Sequence, residues 1–173
     1  TIPCTIGLFI LAEKIAAMIK TDGFDDGKFI IMVTKNGKIK RTELSQYKNV
    51  RKNGLIAIGL DEGDEIAGVR MTDGNAQIIV ATRMGYAIRI DETQMRPMGR
   101  SAHGVKAIRL REGDFVVSMA RIREGASVLT VTEKGIGRRT DIGSYKLQNR
   151  GGMGILNYKV SDEKGFVCGI KVI

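Results

Sequence analysis

The sequence has no tryptophan, one histidine, two cysteines and two prolines in 173 residues. Each shortage removes a class of function. Aromatic residues make up only 5 %, too few to build stacking platforms for single-stranded nucleic acid. The lone histidine, His103, has no recognisable nucleophile or acid partner around it; flanked by glycine on a loop, it reads as a surface residue and not as a catalytic base. Cys4 and Cys168 show neither metal-ligand spacing nor a disulfide framework, which fits a reducing cytoplasm. Cys168, in the apolar run Phe166-Val167-Cys168-Gly169-Ile170, is expected to be a small core residue.

Long hydrophobic runs are missing as well. The longest, 4–19, is interrupted by Glu13 and Lys14 and falls short of the roughly 20 apolar residues a membrane span needs. It has no basic flank before it and no small-residue cleavage site after it, so a signal peptide is not expected either. The phosphate-binding pattern Gly-x4-Gly-Lys-Ser/Thr does not occur. No site for metal or cofactor is expected.

What the sequence does have is a globular composition, with 43 % hydrophobic and 27 % charged residues, and an excess of positive charge. Lys plus Arg number 28 against 19 Asp plus Glu, a net charge of +9. Such an excess serves solubility, and it also suits a polyanionic partner.

It also repeats itself. Thr34-Lys35-Asn36-Gly37, Thr82-Arg83-Met84-Gly85 and Thr132-Glu133-Lys134-Gly135 begin three similar segments, their threonines 48 and 50 residues apart. Four residues after each Gly comes Arg41, Arg89 or Arg139, and two residues further an acid, Glu43, Asp91 or Asp141. Gly54, Gly104 and Gly154 recur in register, followed by Ile58 and Leu60, Ile108 and Leu110, Tyr158 and Val160. The acidic turns Glu62-Gly63-Asp64 and Glu112-Gly113-Asp114 have a looser third copy in Glu163-Lys164-Gly165.

Four strands fit each period, in the first unit about 29–34, 38–43, 54–60 and 65–70. Phe29-Ile30-Ile31-Met32-Val33 is a short apolar run of the buried-strand type, and Asn36-Gly37 marks a hairpin turn. A four-stranded unit repeating every 50 or so residues is one blade of a propeller-like all-β domain. Units are expected at 23–73, 74–123 and 124–173. Residues 1–22 align with the second half of a unit: local propensity favours a helix over 8–20, and the repeat register, preferred here, favours two strands. The chain thus holds about three and a half repeats.

These residues resemble the C-terminal domain of the DNA gyrase A subunit, with topoisomerase IV as the nearest relative. The resemblance covers essentially the whole chain and is carried best by Arg96-Pro97-Met98-Gly99-Arg100-Ser101-Ala102-His103-Gly104-Val105, Ile108-Arg109-Leu110-Arg111-Glu112-Gly113-Asp114 and Gln148-Asn149-Arg150-Gly151-Gly152-Met153-Gly154. It implies a β-pinwheel, a propeller-like ring of six blades that exchange strands with their neighbours, with duplex DNA wrapped around a basic perimeter to direct strand passage toward negative supercoiling. It further implies no catalytic residue here; the cleaving tyrosine and the ATP and magnesium chemistry lie in other regions of the parent enzyme. The implied partners are double-stranded DNA and the other parts of an A2B2 gyrase assembly, namely the B subunit with the rest of the A subunit, in the cytoplasm at the nucleoid. One departure stands out. The family's box, Gln-Arg-Arg-Gly-Gly-Lys-Gly, sits in the first blade, whereas 148–154 lies in the last unit and has Asn149 and Met153 where basic residues are expected.

Wrapping a duplex takes basic groups at regular intervals, because phosphate neutralisation and counterion release dominate the affinity. The repeat-equivalent loops supply Lys48, Arg51 and Lys52; Arg96 and Arg100, with Lys106 beyond; and Lys146 and Arg150, with Gly151 and Gly152 allowing close backbone approach. Arg41, Arg89 and Arg139 are expected instead to pair with the acids two residues on, which share their strand face. Tyr47 and Tyr145 are expected to be packing anchors. No helix suggests major-groove reading, so binding is expected to sense bendability more than sequence. A topoisomerase IV domain is the alternative. A protein-binding propeller explains the repeat but not the charge, and the Trp-Asp signature of such rings is absent.

Overall fold

A computed structural model describes residues 15–21, 23, 24 and 27–173. Most of the expected partial blade, 1–14 and residue 22, lies outside the described residues. Residues 15–21 form neither helix nor strand, and 15–20 are exposed.

The regular structure consists of eleven strands and three short 3₁₀ turns among the described residues. In the first unit β1 (Phe29–Thr34) and β2 (Lys38–Glu43) form a hairpin, and β3 (Ile66–Thr72) returns antiparallel to β1. The second unit repeats this with β4 (Gln77–Thr82), β5 (Tyr86–Asp91) and β7 (Val116–Arg121), separated by the short β6 (Val105–Lys106). The third has β8 (Ser127–Thr132), β9 (Gly137–Asp141) and β11 (Val167–Val172), with β10 (Ile155–Leu156) between them.

The expected strand over 54–60 is not formed. Its repeat equivalents explain why. β6 of the second unit pairs with β2 of the first, Lys38 facing Lys106 and Ile39 facing Val105. β10 of the third unit pairs likewise with β5 of the second. The third strand of a unit therefore completes the sheet of the unit before it, giving sheet orders β3-β1-β2-β6, β10-β5-β4-β7 and β11-β8-β9. Residues 54–58 hold the same place with no described strand alongside them, and β9 has no described partner on its outer side.

β1 reads as one apolar run because both its faces are covered. Ile31 and Val33 pack with Ile78, Val80, Ile88 and Met119 between the first two sheets, while Ile30 and Met32 face Leu44 and Tyr47 on the other side. β4 divides in the same way, its Ile79 and Ala81 joining Val128, Tyr145 and Ile170 between the second and third sheets. The sheets approach one another through β3, β7 and β11, so the outermost positions are those of the exchanged strands and their loops.

Each exchange depends on a glycine. Gly154 has φ +69° and lies where an added Cβ would stand 2.6 Å from the Ala87 carbonyl oxygen. The acidic turns are structural too: buried Asp64 accepts from the Asn36 and Glu65 amides at 2.9 Å, and Asp114 does the same for Met84 and Phe115. Cys168 departs from expectation. A register shift between Val167 and Gly169 on β11 turns it outward, and it is exposed.

Candidate nucleic-acid interface

The basic loops begin as 3₁₀ turns at the ends of β2, β5 and β9 (Leu44–Tyr47, Glu92–Gln94 and Ile142–Ser144). Asp91 and Asp141 cap the latter two, accepting the Thr93 and Gly143 amides at 2.8 and 2.7 Å. The acids expected to pair with the strand arginines are thus used as caps in two of three units. A packing residue follows in each: Tyr47 donates to the Ala57 carbonyl at 3.2 Å, Met95 is buried, and Tyr145 is buried with its hydroxyl bonded to Asn157. Both tyrosines are anchors, as expected; burial raises their pKa above the usual phenol value.

The strand arginines order the blades, but through other partners. Arg41 is buried; its guanidinium lies 3.8 Å from the Phe29 ring centre, donates to the Met95 and Gly74 carbonyls at 3.3 Å and has its Nε 3.5 Å from Glu92, not Glu43. Arg89 donates to Gln77 and, at 3.2 and 3.0 Å, to the carbonyls of Ile142 and Tyr145 in the following unit. Arg139, with no following unit among the described residues, is exposed. The expected pairs with Glu43, Asp91 and Asp141 are not made among the described residues: Arg41 and Arg89 reach across to the next unit's loop, where several carbonyls converge.

Beyond the anchors the loops run back along the outermost strands. The Met98 amide donates to Arg41 O at 2.8 Å and the Gln148 amide to Arg89 O at 2.8 Å. Arg100 and Ser101 share a cleft of about 630 Å³ with Arg51, Leu55 and Ile56 of the preceding unit. At the equivalent second junction Gly151 donates to Ala107 O at 2.7 Å, and Lys106 lies beside it. Gln94 ties the two loops together: its side-chain oxygen accepts the Arg150 amide at 2.7 Å, its main-chain oxygen accepts Arg150 Nε at 3.2 Å, and its Nε2 donates to Gln148 O. Arg51, Arg100, Arg150, Lys106, Gly151 and Gly152 thus belong to one linked series of loops. Lys48, Lys52, Arg96 and Lys146 are exposed on the same loops and make no ion pair among the described residues.

The loops themselves are poor in acid, although exposed Glu43 and Asp141 directly precede two of them and Asp61 bonds His103 of the third. Loops 44–54, 92–104 and 142–154 carry seven Lys and Arg and one acid, Glu92. That carboxylate is fully buried, accepting from Thr72 and Ala76 and facing Arg41. The loops therefore present cations with no exposed carboxylate. The described residues include no group of three or more His, Cys, Asp or Glu able to hold a metal, and no helix long and apolar enough to cross a membrane. Sequence reasoning missed Gln94 and Lys40; the only signal for Lys40 was a lysine where the next unit has Ile88.

Strand-exchanged blades edged with cationic loops define a propeller-type repeat domain of the pinwheel class. The family model described as "DNA gyrase C-terminal domain, beta-propeller" matches residues 28–73, 76–123 and 126–173. The chain belongs to that family. It is 50 % identical over 161 residues to the DNA gyrase A subunit of Clostridium acetobutylicum, and 41 % identical over 167 residues to that of Haloquadratum walsbyi. Each match takes in 93 % of this chain but only 19 % and 20 % of the relative, so the chain spans about a fifth of their length. Among solved structures, a topoisomerase IV C-terminal domain superposes with TM-score 0.83 at 29 % identity, over 90 % of this chain and 49 % of the other. A DNA gyrase A C-terminal domain gives 0.81 at 25 %, over 88 % and 51 %.

Proposed function

We propose that this chain is the non-catalytic DNA-holding part of a gyrase A subunit, which keeps bent duplex DNA against its outer loops and so directs strand passage toward negative supercoiling. The observation that carries this is the linked series of loops with seven cations and no exposed acid. A stiff polyanion that follows such an edge releases counterions at each phosphate contact. With no α-helix among the described residues to enter a major groove, the surface reads backbone and bendability. Within this reading the B subunit, with the rest of the A subunit, completes an A2B2 enzyme at the nucleoid and supplies the ATP- and magnesium-dependent steps elsewhere. The topoisomerase IV reading shares the same backbone, but identities of 50 % and 41 % to gyrase subunits favour gyrase.

The test is titration of a fluorescent linear duplex at several salt concentrations. If all seven cations neutralise phosphates, the log–log slope approaches about −6, and affinity falls about five-thousandfold between roughly 50 and 200 mM salt. Charge reversal at Arg96, Arg100, Lys146 and Arg150 is expected to weaken all duplex sequences alike and to flatten the slope. Salt-independent binding, or none by the folded chain, overturns the proposal.

A further inference from the structure

The two junctions between units have the same backbone but different chemistry. At the second, Tyr86, Ile88, Arg111 and Met153 occupy the positions that Lys38, Lys40, Asp61 and His103 occupy at the first. Arg111 there covers the Tyr86 ring and donates to Met153 O at 3.2 Å, and Ala107 O is satisfied by the Gly151 amide. At the first junction Asp61 joins His103 at 2.9 Å and Lys38, and the Ala57 carbonyl is taken by a side chain, Lys40.

Lys40 lies in β2 with no exposed surface. Its ammonium donates to Ala57 O at 2.6 Å, to Gly99 O at 3.1 Å and to Arg100 O. The Tyr47 hydroxyl shares Ala57 O, and the Arg100 guanidinium is the charge that acts on Lys40. Lys38, two residues away on the same strand, is engaged by Asp61, which also holds His103. No carboxylate forms an ion pair with Lys40 among the described residues. Burial, reinforced by Arg100, lowers its pKa from 10.5 to about 8.

Resting on the DNA-holding reading, we propose that Lys40 is a positioning residue: its ammonium clamps the 99–100 turn so that Arg100 faces the duplex, and loss of its proton loosens that turn and weakens duplex binding at the first junction. The chemistry is a matter of donors. An ammonium has three N–H groups for three carbonyls; a neutral amine has two, and turns a lone pair toward the third oxygen. The linkage sign separates this from unfolding. With the folded pKa below the unfolded one, the cost of burying the charge is fully present below about pH 8 and is relieved as pH rises to 10.5. This group therefore makes the fold more stable across that window while the clamp lets go.

Amide exchange with an internal control tests it on the whole chain. The Gly59 amide donates to Ala102 O at 3.1 Å at the first junction, and the equivalent Arg109 amide to Gly152 O at 2.8 Å at the second. From pH 7 to 9.5, protection of Gly59 is expected to fall relative to Arg109, following a Lys40 side-chain NMR titration near pH 8. Duplex affinity is expected to drop about fivefold over the same range, equivalent to one net hydrogen bond. Lys40→Met, an apolar residue as at Ile88, is expected to fold, to bind about fivefold more weakly at pH 7 and to lose this pH dependence. Lys40→Arg, which stays charged throughout, is expected to keep Gly59 protected to pH 9.5 and decides the matter if the methionine variant does not fold. A constant Gly59-to-Arg109 ratio, a Lys40 titration at its ordinary value, or a Lys40→Met variant with unchanged affinity and pH profile overturns the proposal. If wild type binds no duplex at pH 7, the functional reading fails, and the exchange ratio still judges the clamp separately.

Discussion

Single residues in this repeat take their roles from what the neighbouring unit offers them. Arg41, Arg89 and Arg139 are equivalent in sequence, yet Arg41 is buried against Glu92 and Phe29, Arg89 is held by Gln77 and two carbonyls, and Arg139 is exposed. Removing the charge at the first position strands a fully buried carboxylate, Glu92. Arg41→Met is therefore expected to destabilise by about 3–5 kcal/mol, whereas Arg139→Met should change stability by less than about 0.5 kcal/mol. Urea unfolding of the two variants checks this; equal costs would refute it. The repeat made the three arginines conspicuous, but Glu92 and Met95 for Arg41, and Ile142 and Tyr145 for Arg89, lie about fifty residues away, where spacing along one strand gives no guidance.

At the scale of the element, the short third strand is the joint of the structure. It pairs through two residues only, at β6 and at β10, so it relies on the glycine before it for close approach. Gly154→Ala places a methyl against Ala87 O at positive φ and is expected to cost about 2–4 kcal/mol. Gly135→Ala, also at positive φ but with nothing within 4 Å, should cost only about 1 kcal/mol. Thermal or urea unfolding separates the two, and matching losses would mean that the exchanged strand contributes no packing. Hairpin and apolar periodicity placed β1, β2 and β3 within a residue or two of where they lie. The strand expected over 54–60 is not formed because the partner of such a strand belongs to another unit, and strand pairing is not a local property.

In the whole molecule the first junction carries two surface carboxylates held by cations, Asp61 by Lys38, with His103 also bonded to it, and Asp73 by Arg121 at 2.7 Å. Hydrogen bonds from Lys38 and from Arg121 hold these carboxyls below their ordinary value of 3.8. A depressed carboxylate contributes stability above its unfolded pKa and loses it as pH falls through the folded one. The contribution of these pairs should thus be intact at pH 5 and lost below about pH 3.8. The double variant Asp61→Asn, Asp73→Asn is expected to show a shallower acid limb of stability below that pH, measured by denaturation at pH 5 and pH 3. An acid limb as steep as wild type would remove these pairs from the acid response.

By itself the sequence determined the period, the hairpins, the apolar faces and the basic loops, because turn chemistry and the alternation of a strand are written in adjacent residues. It also carried the family, through glycines and arginines in constant register. Tertiary structure alone decided that Tyr145 is buried while Lys146 beside it is exposed, that Cys168 faces outward across a bulge, and that Gln94 joins two loops. It alone decided that Lys40, fully buried in β2, is met by three carbonyls of distant segments. Those outcomes turn on which chain segments meet across a junction, and the free energy of a buried polar group depends on the partners it finds there.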